Sequence, residues 1–367
     1  MKNRSYKTQL FFRGVLFLVL FFGIHVSLAA QDPNTILLRN YRPHSIYHIP
    51  VTIVNKAKFQ VIDMHSHPYA QSEAEIAAWV KSMDECGIRK TILLTYSVGP
   101  KFDSLCKVYG KYGDRFELWC GFDYSGYDKP GYGPAAVKEL ERCHAIGAKG
   151  VGELGDKGLG ETYSQPVPGK GLHLDDPRLK SLYRKCAELH MPINVHIADP
   201  IWMYEKMDST NDGLMNAYEW KVDMTQPGIL GFDQLVQTLE NAVRDNPKTT
   251  FIACHFANLM HDMDRLGKLF DKYPNLYADI SARYAETSTI PRFMKDFYVK
   301  YQDRLIYGTD MGMDPAMYRI TFRILETNDE HFYEINQFGY HWACNGFGLP
   351  ATVLEKLYSV NALKIMK

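Results

Sequence analysis

From Phe59 onward this chain is built on a repeat, and that repeat limits the folds open to it. Short apolar runs suited to buried strands occur eight times, at 60–63, 91–95, 116–121, 150–154, 193–196, 251–255, 276–280 and 305–308. The runs are continuous rather than alternating, the pattern of parallel strands covered on their outer side. Between them the periodicity predicts helices over 73–86, 134–146, 177–189, 232–245 and 264–272. Gly87 and Gly147 follow two of these, and Asn246-Pro247 and Tyr273-Pro274 close two others. Glycine accepts the left-handed turn that ends a helix, and proline cannot continue one. Eight strand–helix units over about 250–310 residues match the size of a (β/α)8 TIM barrel. A doubly wound open sheet is the competing arrangement, and no G-x-G-x-x-G follows the first strand to support it.

The first thirty residues are of another kind. Lys2, Arg4 and Lys7 precede an almost wholly apolar stretch, 10–28, which ends in Ser27, Leu28, Ala29 and Ala30 before Gln31-Asp32-Pro33. A basic start, an apolar run and small residues at the cleavage position predict a signal peptide over 1–30, cut after Ala29 or Ala30, and an exported protein, periplasmic or secreted. An uncleaved anchor is the other reading, because the run approaches the ~20 residues that span a bilayer. Residues 31–58, rich in Pro, His and Tyr, read as an N-terminal extension, and 59–367 as the barrel. Two stretches exceed ordinary connections, 198–231 after the fifth strand and 311–350 after the eighth. Insertions of that length usually lie over a site.

Composition removes whole classes of function. Lys+Arg 42 balance Asp+Glu 42, which leaves no charge excess for a nucleic-acid partner. A mean hydropathy of -0.28 excludes a polytopic membrane protein, so no stable membrane span is expected once the signal is removed. The seven cysteines are scattered without C-x-x-C spacing, which is neither a disulfide framework nor a zinc knuckle. They are expected to be buried small side chains, with room for one disulfide in an oxidising compartment.

The chemistry concentrates at strand ends. Asp63-Met64-His65-Ser66-His67 closes the first strand. In extended backbone His65 and His67 point to one side, about 6.6–7 Å apart at Cα, close enough to ligate one ion. Later strand ends add Glu153, His196, His255 and Asp310, all on the C-terminal face where a barrel carries its active site. Asp310 can bind a metal or take a proton from a water, and neutral imidazoles leave Zn2+ electrophilic enough to lower that water's pKa toward ~7.

The D-x-H-x-H segment, the strand-five and strand-six histidines and Gly308-Thr309-Asp310 together resemble the amidohydrolase superfamily, in its amidohydrolase-related branch, which includes aminocarboxymuconate-semialdehyde decarboxylase. The likeness runs from about Phe59 to the C-terminus, where Asn361-Ala362 is similar to the branch's closing N-A motif. It implies that His65, His67, His196 and Asp310 ligate one divalent metal, and that His255 is an unliganded catalytic histidine or a second-metal ligand. Glu153 would be a ligand or a carboxylate bonded to substrate or to a ligand histidine. The chain departs from the branch in carrying His255-Phe256-Ala257 where H-x-G is common, which alters backbone freedom. Lys149 has no firm placement as a bridging carboxylated lysine, which favours one metal over two. Zn2+ is preferred over Mn2+ only by the histidine-rich set. Barrels of this branch often pair, so a homodimer is the implied assembly.

Arg283 follows the seventh strand and is placed either to hold a substrate carboxylate bidentately or in a structural salt bridge. Asp208 to Glu219 superficially matches a calcium loop, with acids at positions 1, 5 and 12 and Gly213 at position 6, but it lies inside the long insertion, which reads better as a lid. Trp202, Tyr204, Tyr218 and Trp220 in that insertion suit either a cover over an organic substrate or a small packed core. The expected function is a metal-dependent hydrolase acting on an amide, ester or lactone of a small molecule. In it Asp310 takes the proton of the attacking water and His255 stabilises or protonates the oxyanion. Non-oxidative decarboxylation of a carboxylic acid at the same site is the alternative, which Arg283 fits better. A non-catalytic ligand-binding barrel is the third.

Overall fold

The computed structural model describes residues 32–367, so the expected signal peptide lies outside the described residues. Contacts divide the chain into two units, Met1–Tyr41 and Arg42–Lys367. The described part of the first contains two short 3-10 turns, Pro33–Thr35 and Leu38–Asn40. Asp32 caps the former by accepting from Asn34 N at 3.0 Å.

The second unit alternates strands and helices: β1 (Val61–Ser66), α1 (Glu73–Cys86), β2 (Ile88–Leu94), α2 (Gly99–Tyr109), β3 (Phe116–Trp119), α3 (Pro134–Ala145), β4 (Val151–Asp156), α4 (Lys180–Glu188) and β5 (Ile193–Ile197). It continues with α5 (Leu214–Trp220), α6 (Phe232–Asp245), β6 (Phe251–Ala253), α7 (Met263–Lys272), β7 (Leu276–Asp279), α8 (Tyr284–Thr287), α9 (Pro291–Lys300), β8 (Leu305–Ile306) and α10 (Pro315–Glu326). All strand pairs are parallel, in the orders β1-β2-β3 and β4-β5-β6-β7-β8. Two seams join these sheets. Cys120 N donates to Gly150 O and Gly152 N to Cys120 O between β3 and β4, while Met64 N donates to Tyr307 O and Thr309 N to His65 O between β8 and β1. The result is a (β/α)8 barrel.

Helix α1 shows how local sequence writes one element. Ser72 and Glu75 form a reciprocal capping box, Gly87 ends the helix at φ 84°, and Ile76, Trp79, Met83 and Cys86 form the buried stripe. Each large apolar side chain on such a stripe contributes about 1.5–3 kcal/mol by leaving water. Inside the barrel a separate apolar cluster joins Ile62, Met64, Ile92, Leu94, Trp119, Ile252, Tyr277 and Ile306 with Ala362 near the C-terminus. Gly150 is required beside it, because a Cβ there would run into the Trp119 ring.

Residues 42–58 belong to the same unit and lie along its surface. Thr52 donates through N (2.8 Å) and Oγ1 (2.6 Å) to Asp329, and Lys58 N donates to Glu326. The stretch after the eighth strand differs from expectation. Asp314 caps a twelve-residue α10 with Pro315 at its start, so the eighth barrel helix occupies the first part of the expected insertion. The remaining excursion is 327–350, with one short helix at Ile335–Phe338 and an antiparallel bridge between Phe332 and Cys344. It meets the insertion after β5 where Trp202 faces Trp342 at 6.0 Å between ring centroids. All seven cysteines are free thiols, and all but Cys106 are buried. Among the described residues no helix is long and apolar enough to cross a membrane.

Candidate metal centre and active site

The C-terminal ends of β1, β4, β5, β6 and β8 bring the expected residues together. His65 Nε2 lies 3.7 Å from Glu153 Oε1 and 3.5 Å from Asp310 Oδ1. His67 Nε2 lies 3.1 Å from Asp310 Oδ1. His196 Nδ1 stands 2.9 Å from Glu153 Oε1, and His255 Nε2 is 3.6 Å from both Glu153 Oε1 and Asp310 Oδ2. Strict alternation would point His65 away from the barrel, since Ile62 and Met64 already face inward. The register of β1 against β2 shifts between Asp63 and Ser66, and that of β4 against β5 between Val151 and Leu154. These irregularities coincide with the inward turns of His65 and Glu153, as bulges near active sites commonly re-aim side chains.

Two donor groups emerge, each with ligand atoms within 4.8 Å of one another: His65, His67 and Asp310, and His65, Glu153, Cys254 and His255. His65 Nε2 is buried with no hydrogen-bond partner, although its own Nδ1 is firmly engaged. An orphaned imidazole nitrogen facing carboxylates fits a divalent cation. The Cys254 thiol donates to Asn194 Oδ1 at 2.6 Å, and burial pushes its pKa well above the usual thiol range, which does not suit a ligand thiolate.

Partners set the imidazoles. His65 Nδ1 is 2.9 Å from Asp279 Oδ2, His67 Nδ1 2.8 Å from Leu94 O, and His255 Nδ1 2.9 Å from Ser281 O. Each contact directs the opposite Nε2 toward the centre, as outer partners of metal-binding histidines do. Asp279 accepts in addition from His255 N, Ser281 N and Asn194 Nδ2. His196 is held differently, its Nε2 3.3 Å from Asp199 Oδ1, which Lys157 Nζ approaches to 3.0 Å. Asp279, Ser281, Asp199 and Lys157 were not singled out in the sequence. Asp279 carried a signal of the same kind as Asp310, a carboxylate at a strand end.

The electrostatics show a centre rich in negative charge. Burial disfavours a charged His65, yet Asp279, Asp310 and Glu153 outweigh it and lift its pKa to about 10. Burial raises Asp310 and Glu153, but the surrounding imidazoles overcome it, leaving Asp310 at about 2 and Glu153 well below the usual range. Burial lowers His255. Carboxylates that drive neighbouring imidazoles toward the cationic form create a site that a metal cation would neutralise.

Arg283 lines a cavity of about 390 Å3 together with Lys157, His196, His255 and Asp310. Its Nε donates to Asn258 Oδ1 at 2.9 Å and its Nη1 to Ala282 O, with Glu286 Oε1 at 3.4 Å. Nη2 has no protein partner among the described residues, so the salt-bridge and substrate readings of Arg283 meet in one place. The calcium-like segment is organised locally. Asp208 Oδ1 accepts from Thr210 N and Oγ1, Asn211 Oδ1 accepts from Gly213 N, and Glu219 lies in α5. A separate cavity of about 940 Å3 is lined by residues such as Arg178, Arg184 and Lys248 and by none of these site residues.

The fold is shared with solved structures. A 2,6-dihydroxybenzoate decarboxylase complexed with 2,6-dihydroxybenzoate aligns with a TM-score of 0.52 at 16% identity, covering 84% of this chain and 98% of that one. A dihydroxybenzoic acid decarboxylase from a Polaromonas species, with bound manganese and the inhibitor 2-nitroresorcinol, gives 0.51 at 16% identity over 84% and 97%. A 5-carboxyvanillate decarboxylase from Novosphingobium aromaticivorans, complexed with manganese and a nitrobenzoic acid, gives 0.50 at 13% identity over 86% and 99%. No curated protein matches by sequence. Residues 127–366 match the amidohydrolase family model, and with the barrel and its strand-end donors in view, the chain belongs to the amidohydrolase family.

Proposed function

We propose that this amidohydrolase-family protein is a divalent-metal-dependent, non-oxidative decarboxylase of a small carboxylic acid. The observation that carries the proposal is Arg283, which lines the same cavity as His255 and Asp310 and whose Nη2 has no protein partner among the described residues. A guanidinium edge left open in this way suits a substrate carboxylate better than a neutral amide, ester or lactone. The fold neighbours named as decarboxylases support the same reading, which reverses the order of preference reached from sequence.

In this proposal His65, His67 and Asp310 hold the ion, with Glu153, His196 and His255 completing its surroundings. When bound, the ion supplies Lewis acidity that polarises the substrate group it touches. Arg283 Nη2 orients the acid. A proton taken up from solvent passes by way of His255 Nε2 and Asp310 Oδ2, which lie 3.6 Å apart, to the substrate carbon. The bond between carbon and carboxylate breaks, its electron pair takes that proton, and CO2 leaves. Manganese is the ion to test first, because two neighbours carry it, and zinc second on the strength of the imidazoles.

Incubation of metal-loaded protein with panels of aromatic acids, lactones, esters and amides tests the reaction. CO2 release from an acid is expected, whereas turnover confined to the lactones, esters or amides overturns the proposal. Elemental analysis should give one divalent ion per chain, and a protein that takes up none contradicts a metalloenzyme. We propose in addition that residues 1–30 direct export. N-terminal sequencing of the protein from its native cell should begin near Gln31, and a retained Met1 refutes this.

A further inference from the structure

The donor cluster lies between two cavities, and the reading above uses one of them. His196, His255, Asp310 and Arg283 line the first. His67 and Glu153 line the second, of about 350 Å3, together with Tyr96, Tyr163, Gln165 and Pro168. No lining residue is common to the two. They meet only across the donors, where His67 Nε2 lies 3.1 Å from Asp310 Oδ1 and Glu153 Oε1 2.9 Å from His196 Nδ1.

Two tyrosines give the second cavity its walls. The Tyr96 ring centroid is 5.7 Å from that of His67 and 6.4 Å from that of Tyr163, with the tyrosine planes inclined at 65°, and Tyr163 is 6.4 Å from His196. The fold builds this arrangement. Gln165 N donates to Tyr96 O and Val98 N to Gln165 O, which pairs the two segments in parallel beyond the end of β2. Ser164 Oγ donates to Phe122 O at 2.6 Å. Gly155, two residues past Glu153 in β4, leaves the space for the Tyr163 ring, because a Cβ there would run into it. Both tyrosines are half-buried. Among the described residues neither hydroxyl has a protein hydrogen-bond partner, and neither is sealed in the interior. Tyrosines packed at this depth usually engage theirs, as Tyr69 and Tyr204 do nearby.

Walls of this kind select by shape and by π character. Aromatic pairs settle edge to face or offset-stacked with centroids 4.5–7 Å apart, and they gain more than the burial of area alone. A saturated ring is puckered, offers no π face and gains only the burial. We propose that the cavity walled by Tyr96 and Tyr163 is a substrate subsite that takes a planar, unsaturated ring, with Tyr163 as its main specificity-determining residue. The proposal rests on the decarboxylase reading only in taking that ring to belong to a carboxylic acid.

The test is calorimetric binding to the metal-loaded protein with two probe pairs, benzoate against cyclohexanecarboxylate and benzamide against cyclohexanecarboxamide. The saturated member of each pair is the more apolar, so burial alone would favour it. Wild type should bind the aromatic member about 3–10-fold more tightly, the scale of one aromatic pair. Tyr163→Leu should erase that preference, Tyr96→Leu should reduce it, and Tyr163→Phe should keep it. Crystals soaked with 4-bromobenzoate locate the ring without any variant, so a misfolded Leu protein does not blunt the test; the anomalous bromine peak should lie beside Tyr163. A peak in the Arg283 cavity overturns the proposal. So does equal binding, or none, in both pairs, or an intact preference in a folded Tyr163→Leu protein. A ring preference in the amides with no CO2 release from any acid upholds the subsite and removes the decarboxylase reading. CO2 release with no ring preference does the reverse.

Discussion

Replacing Asp279 by Asn should weaken metal binding while leaving the barrel folded. Asp279 is fully buried. Its Oδ1 accepts from His255 N at 3.0 Å, Ser281 N at 3.1 Å and Ser281 Oγ at 2.5 Å, while its Oδ2 receives His65 Nδ1 at 2.9 Å and Asn194 Nδ2 at 3.2 Å. An asparagine has one acceptor oxygen. Placed to keep the three Oδ1 bonds, it turns its NH2 toward Asn194 Nδ2, a donor against a donor, and toward His65 Nδ1. His65 must then accept there and carry its proton on Nε2, the nitrogen that faces the donor cluster. Losing a partner that fixes a ligand's tautomer typically costs 10–100-fold in metal affinity, or about 1.4–2.7 kcal/mol. The lost charge and the frustrated amide should lower folding stability by a further ~1–3 kcal/mol. Competition between the protein and a chelating indicator reads the first quantity, and denaturant unfolding of the metal-free protein reads the second. An Asp279→Asn protein that is folded and binds metal as tightly as wild type would refute the role given to Asp279.

Other perturbations separate the remaining roles. His255→Ala leaves His65, His67 and Asp310 in place, so metal content should persist while turnover falls about 10²–10⁴-fold; loss of the ion would make His255 a ligand. Gly308→Ala would place a Cβ 2.7 Å from His65 Cβ, and the forced shift should cost ~1–3 kcal/mol and reduce metal uptake. His173 Nδ1 lies 2.8 Å from Asp156 Oδ2, a hydrogen bond that raises the His173 pKa against partial burial. A raised folded-state pKa gives stability that is complete below the unfolded value of ~6.5 and is lost as pH climbs through the folded one. His173→Asn should therefore destabilise more at about pH 5.5 than at about pH 8.5, and equal losses in unfolding titrations at the two values would show the pair to be uncharged.

Strand ends were legible because two signals coincide there, an apolar run and a ligand-type residue at its end or within four positions beyond it. That is why His65, His67, Glu153, His196, His255 and Asp310 could be read before any geometry. What holds them could not. Asp279 lies 214 positions from the His65 it orients, and no local pattern distinguishes it from any other strand-end acid. Glu286, which faces Arg283 Nη1, sits among the first residues of a short helix, where acids are common, and only the packing of Tyr340 from the second insertion reveals it as buried. Helix α10 is hidden in the sequence for a different reason. Its buried positions, from Met317 to Leu325, follow so soon after Asp310 that no break separates the eighth barrel helix from the excursion behind it.

The backbone at these strand ends was invisible too, and it bears on how closely site and fold are tied. Tyr96, Ala198, Ala282 and Asp310 have φ between 39° and 58°, and His255, Phe256, Ala257 and Asn258 run consecutively at 54–58°. None is glycine, although side chains in this left-handed region cost roughly 1–2 kcal/mol each. The four-residue turn is held by the bonds that build the site. Asn258 Nδ2 donates to Ile197 O and Ala198 O, its Oδ1 receives Arg283 Nε, and Asp279 receives His255 N. Ala257 stands where the family often has glycine. Ala257→Gly relieves ~1–2 kcal/mol of strain, but it removes a buried methyl worth ~0.8 kcal/mol and frees the unfolded chain by ~0.5–1 kcal/mol. These nearly cancel, so unfolding free energy should stay within about 1 kcal/mol of wild type. At a relaxed buried position the same change would lose the methyl and the entropy together, ~1.3–1.8 kcal/mol. A loss of that full size, measured by denaturant unfolding, would mean that the turn at His255 stores no strain and that the hydrogen bonds to Asn258 and Asp279 hold it at no cost.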